Sequence, residues 1–221
     1  MQLKARDSEA TRDRILAAAR AEFADLGLGG ARIDAIASAA GANKQLIYHH
    51  FGSKDGLFAA ALEAEYAQFR HAEAALELDL LEPVEALERL VTFTWRYYLI
   101  FPGFIRLVNS ANLHKARHLK GSETFRHVNR PFLVRMRYIL DRGVALGQFR
   151  PDIDAVQLQI TIAGLGYHYL TNSYTGSIVY ERNLLSAKAL RQRLAFNLQV
   201  IMRLVCTAKT LAKMEKPICA A

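Results

Sequence analysis

Cysteine is scarce: the 221-residue chain has two, Cys206 and Cys219. That excludes a disulfide-stapled secreted scaffold and a structural zinc set built from thiolates. Proline is almost as rare, with five residues, and Pro83, Pro102 and Pro151 stand at breaks between apolar-periodic segments. An alternating strand pattern is missing, as are internal repeats and low-complexity tracts. The first residues, Met1 to Arg20, are charged and lack the apolar core of a signal peptide, so the reducing cytoplasm is the expected compartment. A long apolar run is lacking too. Ala155 to Tyr180 carries no Asp, Glu, Lys or Arg, yet Gln157, Gln159, His168, Asn172 and Ser173 interrupt it. A helix buried in a core or subunit interface fits that stretch better than a membrane span, and no membrane partner is expected.

What is present is a globular composition, 52% hydrophobic and 23% charged, on a chain long enough to bury a sizeable core. The net charge is +8, which suggests an acidic partner. Its placement complicates that inference. Residues 1–58 carry eight basic and seven acidic side chains, whereas residues 103–150 carry ten basic and two acidic. A nucleic-acid argument must therefore rest on where particular residues stand.

The periodicity is helical almost throughout, and the expected fold is all-α. Ile15, Ala19, Phe23 and Leu26 recur on one helix face, with Ser8 and Thr11 as candidate N-caps and Gly27 as a stop. A second helix covers Arg32–Ala40 and is closed by Gly41. Asn43 caps a third, Lys44–His50. Gly52 breaks it, and Ser53 caps a fourth that heads towards Leu80. A fifth begins at Pro83 and ends before Pro102. Short helical pieces follow to about Leu119, then a longer helix from Ser122 to Ala145, irregular at Pro131. Two long segments close the chain, 154–174 and 186–213, joined by a loop containing Gly176.

The second and third helices, joined by Gly41-Ala42-Asn43, have the spacing of a helix-turn-helix. Ile33, Ile36, Ala37, Phe51 and one of Leu46 or Ile47 would hold the pair against the first helix. That leaves Lys44, Gln45, Tyr48 and His49 facing outward: a cation, an amide, a phenol and an imidazole able to reach phosphates or base edges. His50 points elsewhere by helical facing. Lys54 stands at the first turn of the next helix, where free N–H groups and an ammonium suit a phosphate.

The strings Phe23-Ala24-Asp25-Leu26-Gly27, Ile33-Asp34-Ala35-Ile36-Ala37, Gly41-Ala42-Asn43-Lys44 and Leu46 to Phe58 resemble the tetracycline-repressor family of transcriptional regulators. The likeness is close over about residues 11–60; the later helices match in number, length and order. It implies an N-terminal three-helix DNA-binding domain (1–58) and a larger helical effector-binding and dimerisation domain (59–221). By resemblance, Lys44 and Gln45 enter the groove, and Tyr48 and Lys54 take phosphates. The family often has Thr or Ser where this chain has Ala31 and Arg32, so Arg32 would replace a hydroxyl contact. With Asn43 and His49, these form the candidate DNA-binding set.

Residues 93–136 are rich in aromatics, which at helical spacing commonly form core but can also line a pocket. Trp95, Tyr98, Phe104 and Phe132, with Asn109, His114, Tyr167, His168 and Asn172 as polar groups, are the ligand candidates. The basic excess over 103–150 favours an anionic small organic effector, and a solvated basic face is the plainer reading. His114 and His118 have metal-ligand spacing, but Lys115 and Arg117 beside them would repel a cation. No metal or other cofactor is expected. The last two long segments carry apolar stripes suited to an isologous homodimer.

No nucleophile–base–orienter set, paired carboxylates or phosphate loop is present. The expected function is that of a ligand-responsive, sequence-specific DNA-binding regulator, a repressor released from double-stranded operator DNA by its effector. An activator of the same family, a small all-α enzyme and a ligand carrier without DNA function are the alternatives.

Overall fold

The computed structural model describes residues 2–214. Its helices are α1 (Gln2–Gly30), α2 (Ile33–Ala40), α3 (Lys44–Phe51), α4 (Lys54–Ala74), α5 (Pro83–Ile100), α6 (Pro102–Leu113), α7 (Glu123–Ala145), α8 (Ala155–Thr171), α9 (Ser173–Val179), α10 (Ala187–Val205) and α11 (Ala208–Met214). Short 3-10 turns occupy Leu78–Leu80 and Arg117–Leu119. Among the described residues there is no strand, and one isolated bridge joins Phe149 to Cys206. No described helix is long and apolar enough to cross a membrane.

The chain forms two compact units. Among the described residues, one contains those up to Phe69 together with Phe101–Asn129; the other contains Arg70–Ile100 and those from Arg130 to Met214. Segment 101–129 thus packs with the N-terminal helices, a long-range association that no local pattern announces.

The first unit is built around Ile15 and Phe23 of α1, Ile36 of α2, Ile47 of α3, and Leu57, Phe58 and Leu62 of α4, with Leu107 of α6. The Phe23 and Phe58 rings meet edge to face at 5.0 Å. Helix α1 starts before the expected caps. Residues 2–7 contain no helix breaker, and the Thr11 hydroxyl donates back to the Asp7 carbonyl at 2.8 Å inside the helix. Gly27 breaks the helical course as expected, at φ 65° and ψ 178°, a region essentially open to glycine alone. The Leu28 N–H freed there donates to the Ser110 hydroxyl of α6 at 3.0 Å.

The second unit packs Leu87, Leu90 and Val91 of α5 with Met136 and Ile139 of α7, Leu158 and Ile162 of α8, and Ile201, Met202 and Val205 of α10. Gly143 is required by contact, since a Cβ there would lie 2.0 Å from the Phe149 ring.

Several boundaries differ from the sequence expectation. Helix α4 stops at Ala74, because Glu77 turns left-handed at φ 49° and sends Leu78 into the second core. Gly176 lies inside α9 and not in a loop; its missing side chain admits Leu184, which a Cβ would meet at 2.8 Å. The last segment breaks after Val205, where Arg150 N–H donates to the Val205 carbonyl and Thr207 N–H to that of Gln148, both at 2.9 Å. His114 and His118 do not share a helix face. Helix α6 ends at Leu113, and Lys115 and Ala116 take positive φ, which reverses the chain before His118.

Candidate nucleic-acid interface

The helix pair is made by short-range chemistry. Gly41 adopts φ 59°, ψ 38°; its N–H bonds the Ser38 carbonyl at 3.2 Å and the Ala42 N–H bonds that of Ala37 at 2.9 Å, a Schellman closure of α2. Two residues later the Asn43 side chain accepts the Leu46 N–H at 2.8 Å and starts α3. Gly52, at φ 73°, ends α3, and the Ser53 hydroxyl accepts the Gly56 N–H at 3.0 Å to start α4.

Ile47 is the buried residue of α3 and settles the open choice with Leu46, which is exposed. Lys44, Gln45, Tyr48 and His49 are all exposed, and their spacing places them on one helix face. Lys44 Nζ lies 2.6 Å from Asp34 Oδ1 at the start of α2, an exposed pair that water largely screens. The His49 and His50 rings meet at 5.4 Å, with His50 half-buried. Lys54 is half-buried at the first position of α4.

Arg32 occupies the N-cap position of α2 without a side-chain cap. Its N–H is taken instead by the Glu22 carboxylate of α1 at 3.1 Å, while its guanidinium is exposed. Ala31 is buried, so a hydroxyl there would face apolar neighbours. Two α1 arginines went unread in the sequence: Arg12 lies 5.4 Å over the Phe51 ring, and Arg14 donates to the Ala40 carbonyl at 3.4 Å. Both brace the helix pair. Their signal was charge at i, i+2 on an otherwise apolar-faced helix, which periodicity alone does not assign.

At the start of α4, Asp55 is approached from the segment after α6. Arg117 Nη2 is 3.4 Å and His118 Nδ1 3.6 Å from Asp55 Oδ2. The His118 side chain is 2% exposed and packs edge to face on Phe58 at 5.2 Å. Burial pulls its pKa below the usual imidazole value, against the upward pull of Asp55, and Arg117 and His114 add to the lowering.

Such a short Gly-Ala-Asn turn, holding one helix by a single isoleucine and leaving its polar face open, is the local geometry of a DNA-reading helix pair. Residues 15–61 match the family of bacterial regulatory proteins named for TetR, and residues 83–201 match the tetracyclin repressor-like C-terminal domain. The chain belongs to the TetR family. The HTH-type transcriptional repressor NicS of Pseudomonas putida is 37% identical over 201 residues, 91% of this chain and 95% of that protein. The HTH-type transcriptional repressor AcnR of Corynebacterium glutamicum is 30% identical over 65% of this chain and 71% of its own. Among solved structures, a TetR transcriptional regulator from Chloroflexus aurantiacus is similar at 25% identity and TM-score 0.65, covering 92% of this chain and all of that one. A TetR family regulator from Marinobacter aquaeolei shares the fold, with TM-score 0.68 at 20% identity over 92% and 98% of the two chains.

The nine ligand candidates of this TetR chain divide between the units. In the first, Phe104 stacks on Phe69 at 5.3 Å and meets Tyr66 at 5.2 Å, while Asn109 and His114 are half-buried. In the second, Trp95 and Tyr98 pack against Gly166, within 3.6 Å of where a Cβ would stand. Phe132 carries the Arg70 guanidinium 4.1 Å above its ring. Arg70 in turn pairs with the buried Glu73 at 2.8 Å, whose carboxyl is raised by burial. These four aromatic candidates are buried. Tyr167 is half-buried, and desolvation raises its hydroxyl pKa.

Two clefts are lined mostly by other residues. One, of about 430 Å³, lies in the first unit between Tyr66 of α4, Asn112 of α6, the Lys115–Lys120 segment and Phe125 and Arg126 of α7. The other, of about 630 Å³, lies in the second unit and includes His168 and Asn172. Tyr66 stands outside the aromatic-rich window of the sequence and reaches Phe125 at 4.7 Å only through the fold.

Proposed function

We propose that the protein is a repressor that leaves its operator when a small organic anion binds. The observation that carries the DNA part is α3: one buried isoleucine and an open face of Lys44, Gln45, Tyr48 and His49. Gln45 reads a base edge and Lys44 a base or phosphate, exchanging its Asp34 partner for DNA. Tyr48, Lys54 and Arg32 take phosphates, which position the helix without reading sequence. His49 lies at the groove edge, and Asn43 acts by capping α3.

Two such helices must be presented about one helical turn of DNA apart, roughly 34–36 Å, so the active species is a homodimer. Support comes from apolar side chains that a single chain leaves in water: Ile160 on α8, Tyr174 and Ile178 on α9, Phe196 and Leu204 on α10. Neutral, apolar exposure of that extent suits a partner subunit. The cytoplasm, where operator DNA is found, is the working compartment.

The 430 Å³ cleft is the effector site in this reading. Lys115, Lys120 and Arg126, the last paired with Glu123 outside the lining, face it between Tyr66, Phe125 and Leu119. An anion held there engages the short segment whose Arg117 and His118 reach Asp55, the neighbour of Lys54. Binding that prefers another setting of this segment lowers DNA affinity by its differential energy, typically about 1–3 kcal/mol. The repressor names of NicS and AcnR favour repression over activation.

The test is binding of purified protein to DNA flanking its own gene, at two salt concentrations with excess competitor DNA. Specific, salt-sensitive retention by a dimer is expected. Equal retention of random DNA, or none by a folded dimer across a genomic library, overturns the proposal.

A further inference from the structure

The second cleft has a composition that the DNA-release reading does not use. It opens where the C-terminal end of α8, helix α9 and the 180–186 turn meet α10, and encloses about 630 Å³. Its cations are Arg182 and Arg193, its polar groups include His168 and Asn172, and Tyr169 and Leu184 supply apolar wall. No carboxylate lines it.

Arg193 is the unusual member. Its guanidinium lies 5.1 Å from the Tyr169 ring centre and 5.4 Å from that of Phe196, and Nη2 donates to the Leu165 carbonyl at 3.1 Å. Nε is buried without a hydrogen-bond partner. Among the described residues no acidic side chain pairs with Arg193 or with Arg182, whose Nη2 reaches Gln192 at 3.4 Å. The half-buried guanidinium rests on two ring faces and one carbonyl with no acidic partner among the described residues, which leaves its charge open to an anion at the cleft. Burial accordingly draws the Arg193 pKa down.

The floor is built to stay open. Gly176 admits Leu184 by lacking a Cβ, and the Tyr169 hydroxyl donates to the Leu184 carbonyl at 2.9 Å, fixing one wall to the turn. The Leu184 N–H is held by the Ser177 hydroxyl at 3.1 Å. The volume falls in the range of small-molecule sites, with an apolar side and a cationic end.

We propose that this cleft is a second ligand site, taking a monocarboxylate with a compact apolar or aromatic body. The carboxylate pairs with Arg182 and Arg193, whose planar forks match its geometry, and the body lies against Tyr169 and Leu184. The site shares no lining residue with the first cleft, so it stands or falls independently of the effector assignment above.

The fold supplies a reporter. Trp95 is the single tryptophan, and its ring lies 5.7 Å from that of Tyr169. The experiment titrates the full-length protein with benzoate, benzamide and inorganic phosphate, following Trp95 emission. Benzoate should give a saturable change, at least about tenfold tighter than the neutral amide or phosphate. Arg182→Gln, an exposed position, should weaken it about tenfold, Arg193→Gln should abolish it, and Arg193→Lys should restore part of it. Arg126→Gln, in the first cleft, should leave it unchanged. The proposal is overturned by an absence of saturable change, by equal binding of benzamide or phosphate, or by loss in Arg126→Gln with retention in Arg182→Gln. A partner subunit that fills the cleft gives no change and overturns it equally.

Discussion

Helix α3 and the α8–α10 surface are both faces that this chain leaves uncovered, and they differ in what they expose. On α3 the open side chains are a lysine, a glutamine, a tyrosine and a histidine around one buried isoleucine. On α8–α10 they are Ile160, Ile178, Tyr174 and Phe196, the first two 59% and 79% exposed. A polar face remains stable in water and awaits a charged, hydrogen-bonding partner. An apolar face carries a standing cost in water and awaits another apolar surface. The contrast underlies the proposed division between DNA contact at α3 and subunit contact at α8–α10.

The largest expected effect breaks the apolar side of that contrast. Ile160→Asp combined with Ile178→Asp removes about 2 kcal/mol or more of recoverable burial per subunit, doubled by an isologous interface. Sedimentation should show dimer dissociation raised about 100-fold or more, with helical content retained. Next, Gln45→Ala should cost about 1–3 kcal/mol at one operator position and relax preference there, read by binding to a set of single-base operator variants. Lys54→Ala should weaken all sequences alike and lower the salt slope by about 1; an unchanged slope in a folded protein removes Lys54 from the phosphate contacts. Asn43→Ala should cost about 1 kcal/mol of stability through the lost α3 cap, measured by urea denaturation.

The smallest effect concerns pH. The folded His118 titrates below its unfolded value, with Asp55, Arg117 and His114 as its charged neighbours. The unfolded chain therefore takes up the proton first. Stability should decline as pH falls from the ordinary imidazole value through the lower folded one, then level off for this group. His118→Phe keeps a ring against Phe58 and should flatten that decline; denaturation midpoints at several pH values decide it.

The helix-turn-helix was legible because its devices are local. Gly41, Asn43, Gly52 and Ser53 act within four residues of themselves, and each does in the fold what its residue type announces. Boundaries set by distant partners were not legible. Leu78 leaves the α4 pattern because the second core receives it, and α10 ends at Val205 because segment 148–150 pairs with it. His114 and His118 do come together, their rings 6.0 Å apart, but across a turn with two left-handed residues and not along a helix face. Aromatic spacing shows that a face is apolar but does not distinguish packing from lining; Trp95, Tyr98 and Phe132 are buried in the fold.

The sequence by itself determined the helical class, the DNA-reading pair and the polar face of α3, because caps, glycine turns and periodicity operate over a few residues. Tertiary structure alone decided that 101–129 joins the N-terminal helices, that Lys44 comes within 2.6 Å of Asp34, and that Arg193 lines a cleft half-buried. Those outcomes depend on which distant surfaces meet, and burial and unpaired charge acquire meaning only after they have met.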